Sequence, residues 1–146
     1  MIIAVASDHG GYDLKRKVVE HLTERGIQVV DLGTDTKESV DYPVFGKACG
    51  EAVVSGKADL GMVFCGTGIG ISIATNKVKG VRCALCTSEE MAALAKQHNN
   101  ANVLALGGRI LTNEQAIAIT DAWLDAEFEG GRHQRRIDKV MALEND

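Results

Sequence analysis

Five short apolar runs recur along the chain with a segment of helical period between each pair, and this alternation is the strongest constraint on what the chain can fold into. The runs are Ile2 to Ala6, Ile27 to Leu32, Asp59 to Phe64, Val81 to Cys86 and Asn102 to Leu106. Strands without polar alternation are covered on both faces, and a helix in every gap supplies the crossover that parallel pairing requires. The pattern predicts an α/β fold: a Rossmann-like three-layer αβα sandwich around a five-stranded parallel sheet, with strands in the flavodoxin-like order 2-1-3-4-5. No linker or repeat interrupts it, and 146 residues suit one domain spanning 1–146.

The helices carry their own signals. Leu14, Val18 and Leu22 form one stripe of the first helix, which stops at Gly26. Pro43 to about Ser55 and Ile71 to Val78 read as the next two. Thr87 with Glu90, and Thr112 with Gln115, have the spacing of capping boxes that open two further helices. Gly130-Gly131 then sets off a last helix with Arg132, Arg135, Arg136 and Lys139 on one stripe and Ile137, Val140 and Met141 on another side. Such a helix presents positive charge while packing elsewhere, and it is expected to reach a second subunit.

Composition excludes several function classes. The formal net charge is −4, so no global basic field exists to hold nucleic acid or an anionic membrane surface. The longest uncharged stretch, Leu60 to Asn76, is short for a membrane span and is broken by Gly61, Gly66, Gly68 and Gly70. The apolar start meets Asp8 too soon for a secretory signal, so a cytoplasmic location is expected. Cys49, Cys65, Cys83 and Cys86 are too scattered for a disulfide framework and should be free thiols. Cys83 and Cys86 make a C-x-x-C within a strand, where residues three apart face opposite ways, so neither a metal nor a redox pair is expected of them.

In open parallel sheets ligands bind beyond the carboxyl ends of the strands. The loop after the first strand is Ser7-Asp8-His9-Gly10-Gly11, and that after the third is Cys65-Gly66-Thr67-Gly68-Ile69-Gly70. Adjacent strands would set Asp8, His9, Cys65 and Thr67 around one pocket. The Gly66, Gly68 and Gly70 spacing allows amides to point at an anion before a helix N-terminus, or it is simply a flexible strand-to-helix turn. It lacks the spacing and position of the dinucleotide fingerprint. Cys65, just ahead of a helix, stands where a thiolate can serve as base or nucleophile; a small buried hydrophobe is the ordinary alternative. His98 follows a helix and opens His98-Asn99-Asn100, and Arg109 follows Gly107-Gly108 at the end of the fifth strand. Each has a plain surface explanation. Arg132 and Arg136, one turn apart, can grip a phosphate or form a solvated basic face.

Taken together, Ser7-Asp8-His9-Gly10-Gly11, Asp41-Tyr42-Pro43, Cys65-Gly66-Thr67-Gly68-Ile69-Gly70, Asn76-Lys77, His98-Asn99-Asn100-Ala101-Asn102 and Gly107-Gly108-Arg109 resemble the RpiB/LacA/LacB sugar-phosphate isomerase family, and within it the B-type ribose-5-phosphate isomerases. The resemblance runs over essentially the whole chain. It implies aldose–ketose isomerisation of a sugar phosphate through a cis-enediolate, with no metal or other cofactor, in a homodimer or dimer of dimers whose sites are shared between subunits. By that resemblance Cys65 is the base, Gly66 to Gly70 and Thr67 stabilise the enediolate, and His98 opens the sugar ring. Asp8 assists at the sugar hydroxyls, Asn99 holds one of them, Tyr42 lies near the sugar, and His9, Arg109, Arg132 and Arg136 take the phosphate. Some members place a glutamate after the glycine loop instead; Cys65 with an apolar Ile71 puts this chain in the cysteine-dependent group.

Three rival readings differ in what they require. An isomerase for a six-carbon sugar phosphate would keep every residue and change only the pocket length. A non-catalytic phosphosugar-binding module would use the glycine loop without needing Cys65 and His98 together, and a dinucleotide oxidoreductase fails on motif spacing.

Overall fold

The computed structural model describes residues Met1–Asp146. The strands are β1 (Ile2–Ser7), β2 (Gln28–Asp31), β3 (Leu60–Cys65), β4 (Cys83–Leu85) and β5 (Val103–Gly107). The helices are α1 (Tyr12–Glu24), α2 (Tyr42–Val54), α3 (Ile69–Asn76), α4 (Glu89–Gln97), α5 (Asn113–Asp125) and α6 (Arg132–Ala142), with a 3-10 turn at Leu143–Asn145. No helix is long and apolar enough to cross a membrane.

All four strand pairings are parallel, as the unbroken apolar runs require. The strand order is β2-β1-β3-β5-β4. This corrects the expected 2-1-3-4-5 in its last two strands, and burial explains why. Every residue of β5 is buried, which suits a strand paired on both sides, whereas the three residues of β4 are all half-buried. Arg82 stands just before β4, with its Nε donating to Asn100 O at 3.0 Å, a side chain that an interior strand could not accommodate. Only part of the run Val81 to Cys86 therefore pairs, at the sheet edge.

Side chains alternate across the sheet and divide the core in two. Ile3, Val5, Met62, Phe64, Leu104 and Leu106 face the layer of α1, α4 and α5, where Trp123 is fully buried and donates to Ala101 O at 3.2 Å. Ala4, Ala6, Val63, Cys65, Val103 and Ala105 face α2 and α3. The small residues of that second face let α2 ride close: a Cβ on Gly61 would lie 2.7 Å from Cys49 Sγ.

Helix starts follow local chemistry with two shifts. The first is at α3, which spans Ile69–Asn76 rather than Ile71 to Val78, because Gly68 at φ +80° turns the chain into the helix two residues earlier. Thr112 and Gln115 form the full capping box ahead of α5. At α4 the cap is Ser88, whose Oγ accepts from Met91 N at 3.2 Å, and Thr87 instead approaches Met91 Sδ. Ser88 has the extended backbone a cap needs, so the helix begins one residue later than the Thr87-to-Glu90 spacing suggests.

One buried charge ties the first strand to the loop beyond the second. Lys15, fully buried on α1, donates from Nζ to Asp31 Oδ1 at 2.8 Å and to Thr34 O at 2.7 Å. The same loop exchanges backbone hydrogen bonds with Ser7, whose N donates to Gly33 O at 2.7 Å and whose O accepts from Thr34 N at 2.8 Å. The end of β1 is thereby fixed immediately before Asp8.

Candidate active site

The loops after β1, β3 and β5 meet at the carboxyl edge of the sheet, backbone against backbone. Asp8 N donates to Phe64 O at 3.2 Å, Gly108 N to Cys65 O at 2.8 Å and Arg109 N to Gly66 O at 2.8 Å. A Cβ on Gly108 would lie 2.6 Å from Gly10 O, and one on Gly10 would lie 3.0 Å from Gly66 N. Glycine at both positions is a packing requirement of this interlock. Placing β5 beside β3 brings Arg109 directly against the glycine loop, its guanidinium carbon 3.4 Å from a Cβ built on Gly10.

Cys65 ends β3 with its side chain on the α2/α3 face, and its Sγ accepts a hydrogen bond from Gly68 N at 3.1 Å. Gly68 holds φ at +80°, which turns that amide back toward the sulfur at the N-cap of α3. Thr67 is exposed at the tip of the loop, and its Oγ1 accepts from Ile69 N at 3.2 Å. The other cysteines differ. Burial pushes the Cys49 thiol up to about 12 and Cys86 up to about 11, and burial, followed by Cys49 and Cys86, raises Cys83 as well. Cys49 donates to Ala4 O and Met62 O, a thiol's role. All four are free.

Asp8 is buried, with Oδ1 accepting from Gly11 N at 3.1 Å. His9 Nδ1 accepts from Val40 N at 3.2 Å, so in the neutral ring the proton sits on Nε2, available to an anion. Tyr42 opens α2, and its ring fills the place of the absent side chain of Gly70, with Cζ 2.6 Å from where a Cβ would be. Asp8, His9, Tyr42, Cys65, Gly66, Thr67, Gly68, Ile69, Gly70 and Arg109 thus share one rim.

His98, Asn99, Arg132 and Arg136 do not join them within the chain. α4 runs back against the strand direction, so His98, its C-terminal cap, lies at the amino edge of the sheet ahead of β5. There the His98 ring stacks on that of His133 at 4.2 Å between centroids, 9° from parallel. Exposed Asn99 borders a cleft of about 280 Å³ shared with Ile137 and Val140 of α6. α6 is seated on its own chain through His133 and Ile137, with Met141 Sδ 3.7 Å from Arg82 and Glu144 accepting from Gly80 N at 2.9 Å. It leaves the outer face of Arg132 and Arg136 exposed. None of Arg109, Arg132 and Arg136 forms an ion pair with a carboxylate.

Two residues of this second group escape a reading of the sequence. His133, in the first turn of α6, and Glu129, in the loop before it, flank the diglycine, and Glu129 Oε1 lies 3.4 Å from His133 Nε2 and 3.6 Å from His98 Nε2. His133 stands among the arginines of the basic stripe, yet it is only 7% exposed.

A doubly wound parallel sheet with an amide-lined loop, an imidazole and an unpaired arginine at its strand ends places the chain among α/β proteins built to hold small anionic ligands. The ribose/galactose isomerase family matches residues 3–140, and the chain belongs to that family. It is similar to ribose-5-phosphate isomerase B of Escherichia coli, 48% identical over 142 residues that cover 97% of this chain and 95% of that protein. The structure of Clostridium thermocellum ribose-5-phosphate isomerase B superposes with a TM-score of 0.98 at 53% identity, covering 99% of this chain and 98% of the other. That of the Mycoplasma genitalium enzyme with bound ribulose-5-phosphate gives 0.94 at 49% identity, covering 99% and 97%.

Proposed function

We propose that the chain interconverts D-ribose 5-phosphate and D-ribulose 5-phosphate. The observation that carries this reading is the Gly68 amide aimed at Cys65 Sγ beside a glycine loop, in a chain so similar to an isomerase holding ribulose-5-phosphate. Cys65 as thiolate removes the proton from C2 of the open-chain aldose and returns it to C1. The electron pair moves onto the carbonyl oxygen, giving a cis-enediolate whose oxygens face the amides of Gly66 to Gly70 and the Thr67 hydroxyl, groups that need no rearrangement as charge develops. His98 and Asp8 exchange the protons that open the furanose ring, and Asn99 holds a hydroxyl. The phosphate falls to His9, Arg109, Arg132 and Arg136.

His98, Asn99, Arg132 and Arg136 stand at the opposite edge from Cys65, so the complete site needs two chains, in a homodimer or dimer of dimers. Exposed Val44, Ile69, Ile73 and Ile110 supply apolar surface for such contact. The four free thiols suit the cytoplasm, where we place the protein. Comparison of kcat/KM for ribose 5-phosphate with that for allose 6-phosphate on metal-stripped protein tests the reading. The pentose should be strongly preferred; preference for the hexose would keep the chemistry and replace the substrate, and activity on neither would leave a phosphosugar-binding module.

A further inference from the structure

We propose that His98, Glu129 and His133 form a binding site for a divalent cation of the zinc class. Their ligand atoms, two imidazole nitrogens and one carboxylate oxygen, all lie within 4.8 Å of one another. The two contacts to Glu129 Oε1, at 3.4 and 3.6 Å, are long for hydrogen bonds to a carboxylate. They match a different geometry. Zinc–nitrogen and zinc–oxygen bonds of roughly 2.0–2.1 Å at a tetrahedral angle separate two ligand atoms by about 3.3–3.4 Å. The carboxylate oxygen stands at that separation from His133 Nε2, at 3.4 Å, and slightly beyond it from His98 Nε2, at 3.6 Å, and the two rings need to pivot out of their stack to close the remaining edges.

A second observation is independent of this spacing. His133 Nε2 is buried and has no hydrogen-bond partner, although its ring is 7% exposed and a buried polar atom left unpaired is costly. It is aimed into the cluster, and a metal ion would satisfy it. Two imidazoles and one carboxylate make a three-ligand set with an open fourth position, the composition zinc takes readily. Calcium and magnesium need oxygen-rich shells that this cluster does not offer.

Occupancy would take the Nε2 of His98. Resting on the role assigned to His98 above, the bound cation is then an inhibitor that withdraws the ring-opening acid and leaves Cys65 untouched.

Cobalt(II), added to the full-length protein in a non-coordinating buffer, is the probe. Expected are one ion per chain with ligand-field absorption and no sulfur-to-cobalt charge-transfer band, displacement by zinc, and affinity reduced at least about tenfold in Glu129→Gln. Glu129 is half exposed and that substitution keeps its shape, so folding is not at stake; His133→Gln gives a second, more severe variant. Absence of binding, a charge-transfer band that marks Cys65 as ligand, or affinity unchanged in Glu129→Gln would overturn the site. Cobalt bound as expected while ribose 5-phosphate turnover continues would uphold the site and overturn the role given to His98.

Discussion

The division of the site between the two edges of the sheet can be tested by complementation. Cys65→Ala removes the base at the carboxyl edge, and His98→Asn removes the ring-opening group at the amino edge. Each variant alone should be nearly inactive. If every site takes its rim from one chain and its His98 side from another, a heterodimer of the two variants has one site with both lesions and one with neither. Equal amounts unfolded and refolded together give about half heterodimers by random pairing, so about a quarter of all sites regain both groups, and about a quarter of wild-type turnover should return. The same count holds for a dimer of dimers. A mixture of Cys65→Ala with Thr67→Ala is the control, because both lesions fall on the rim and every site then carries one of them. The assay is ribulose 5-phosphate formation per total chain after refolding. Turnover no higher than the sum of the two parents, with heterodimers demonstrated by mass, would refute the shared site.

Other outcomes follow from single contacts. Cys65→Ala alone should lower kcat on ribose 5-phosphate by about 10²–10⁴ with the fold intact by circular dichroism, and a variant retaining most of kcat would remove Cys65 as the base. Lys15→Met deletes two charge-assisted hydrogen bonds from a fully buried ammonium; discounted for an Asp31 carboxylate that is 42% exposed, this should cost about 2–4 kcal/mol and lower Tm by about 5–15 °C. A fall of less than about 2 °C in a thermal melt would contradict that assignment. Ser88→Ala should cost about 1 kcal/mol by loss of the α4 cap, whereas Thr87→Ala should be close to neutral, and the reverse ranking in denaturant melts would restore the earlier start of the helix. Burial alone would raise the Asp121 carboxyl, but hydrogen bonds from His21 and Arg25 outweigh it and hold it below the usual carboxylate range. A depressed folded-state value contributes stability above the unfolded carboxylate's pKa, and that stability disappears as pH falls through the folded value, below about pH 4. Asp121→Asn should therefore flatten the acid side of the stability profile; an unchanged acid limb would show that the cluster contributes nothing.

Much of the fold is legible in the chain because burial on both faces leaves strands with no polar alternation, and because Gly26, Pro43, Thr112 and Gly130-Gly131 punctuate the helices. The order of the last two strands is not, since sequence order carries no record of which strand takes the edge; Arg82 and the brevity of β4 are the clues. The loops after β1 and β3 are neighbours in either order, so the rim around Asp8 and Cys65 follows from the motifs. Contact of Arg109 with that rim does not, because it depends on β5 standing beside β3. The distance of His98 from Cys65 is implied by the direction of α4 alone. Burial of His133 is hidden, since helical periodicity among so many charged neighbours reads as a solvated face.

Gly70 and Tyr42 occupy one volume between them. The ring enters only as far as the missing side chain permits, and residue 70 therefore acts as a stop that sets how close the aromatic ring stands to the glycine loop. A methyl group there would stand 2.6 Å from Tyr42 Cζ and would force the ring outward. The place of an aromatic side chain is in this way set by the absence of another, with no change required at Cys65.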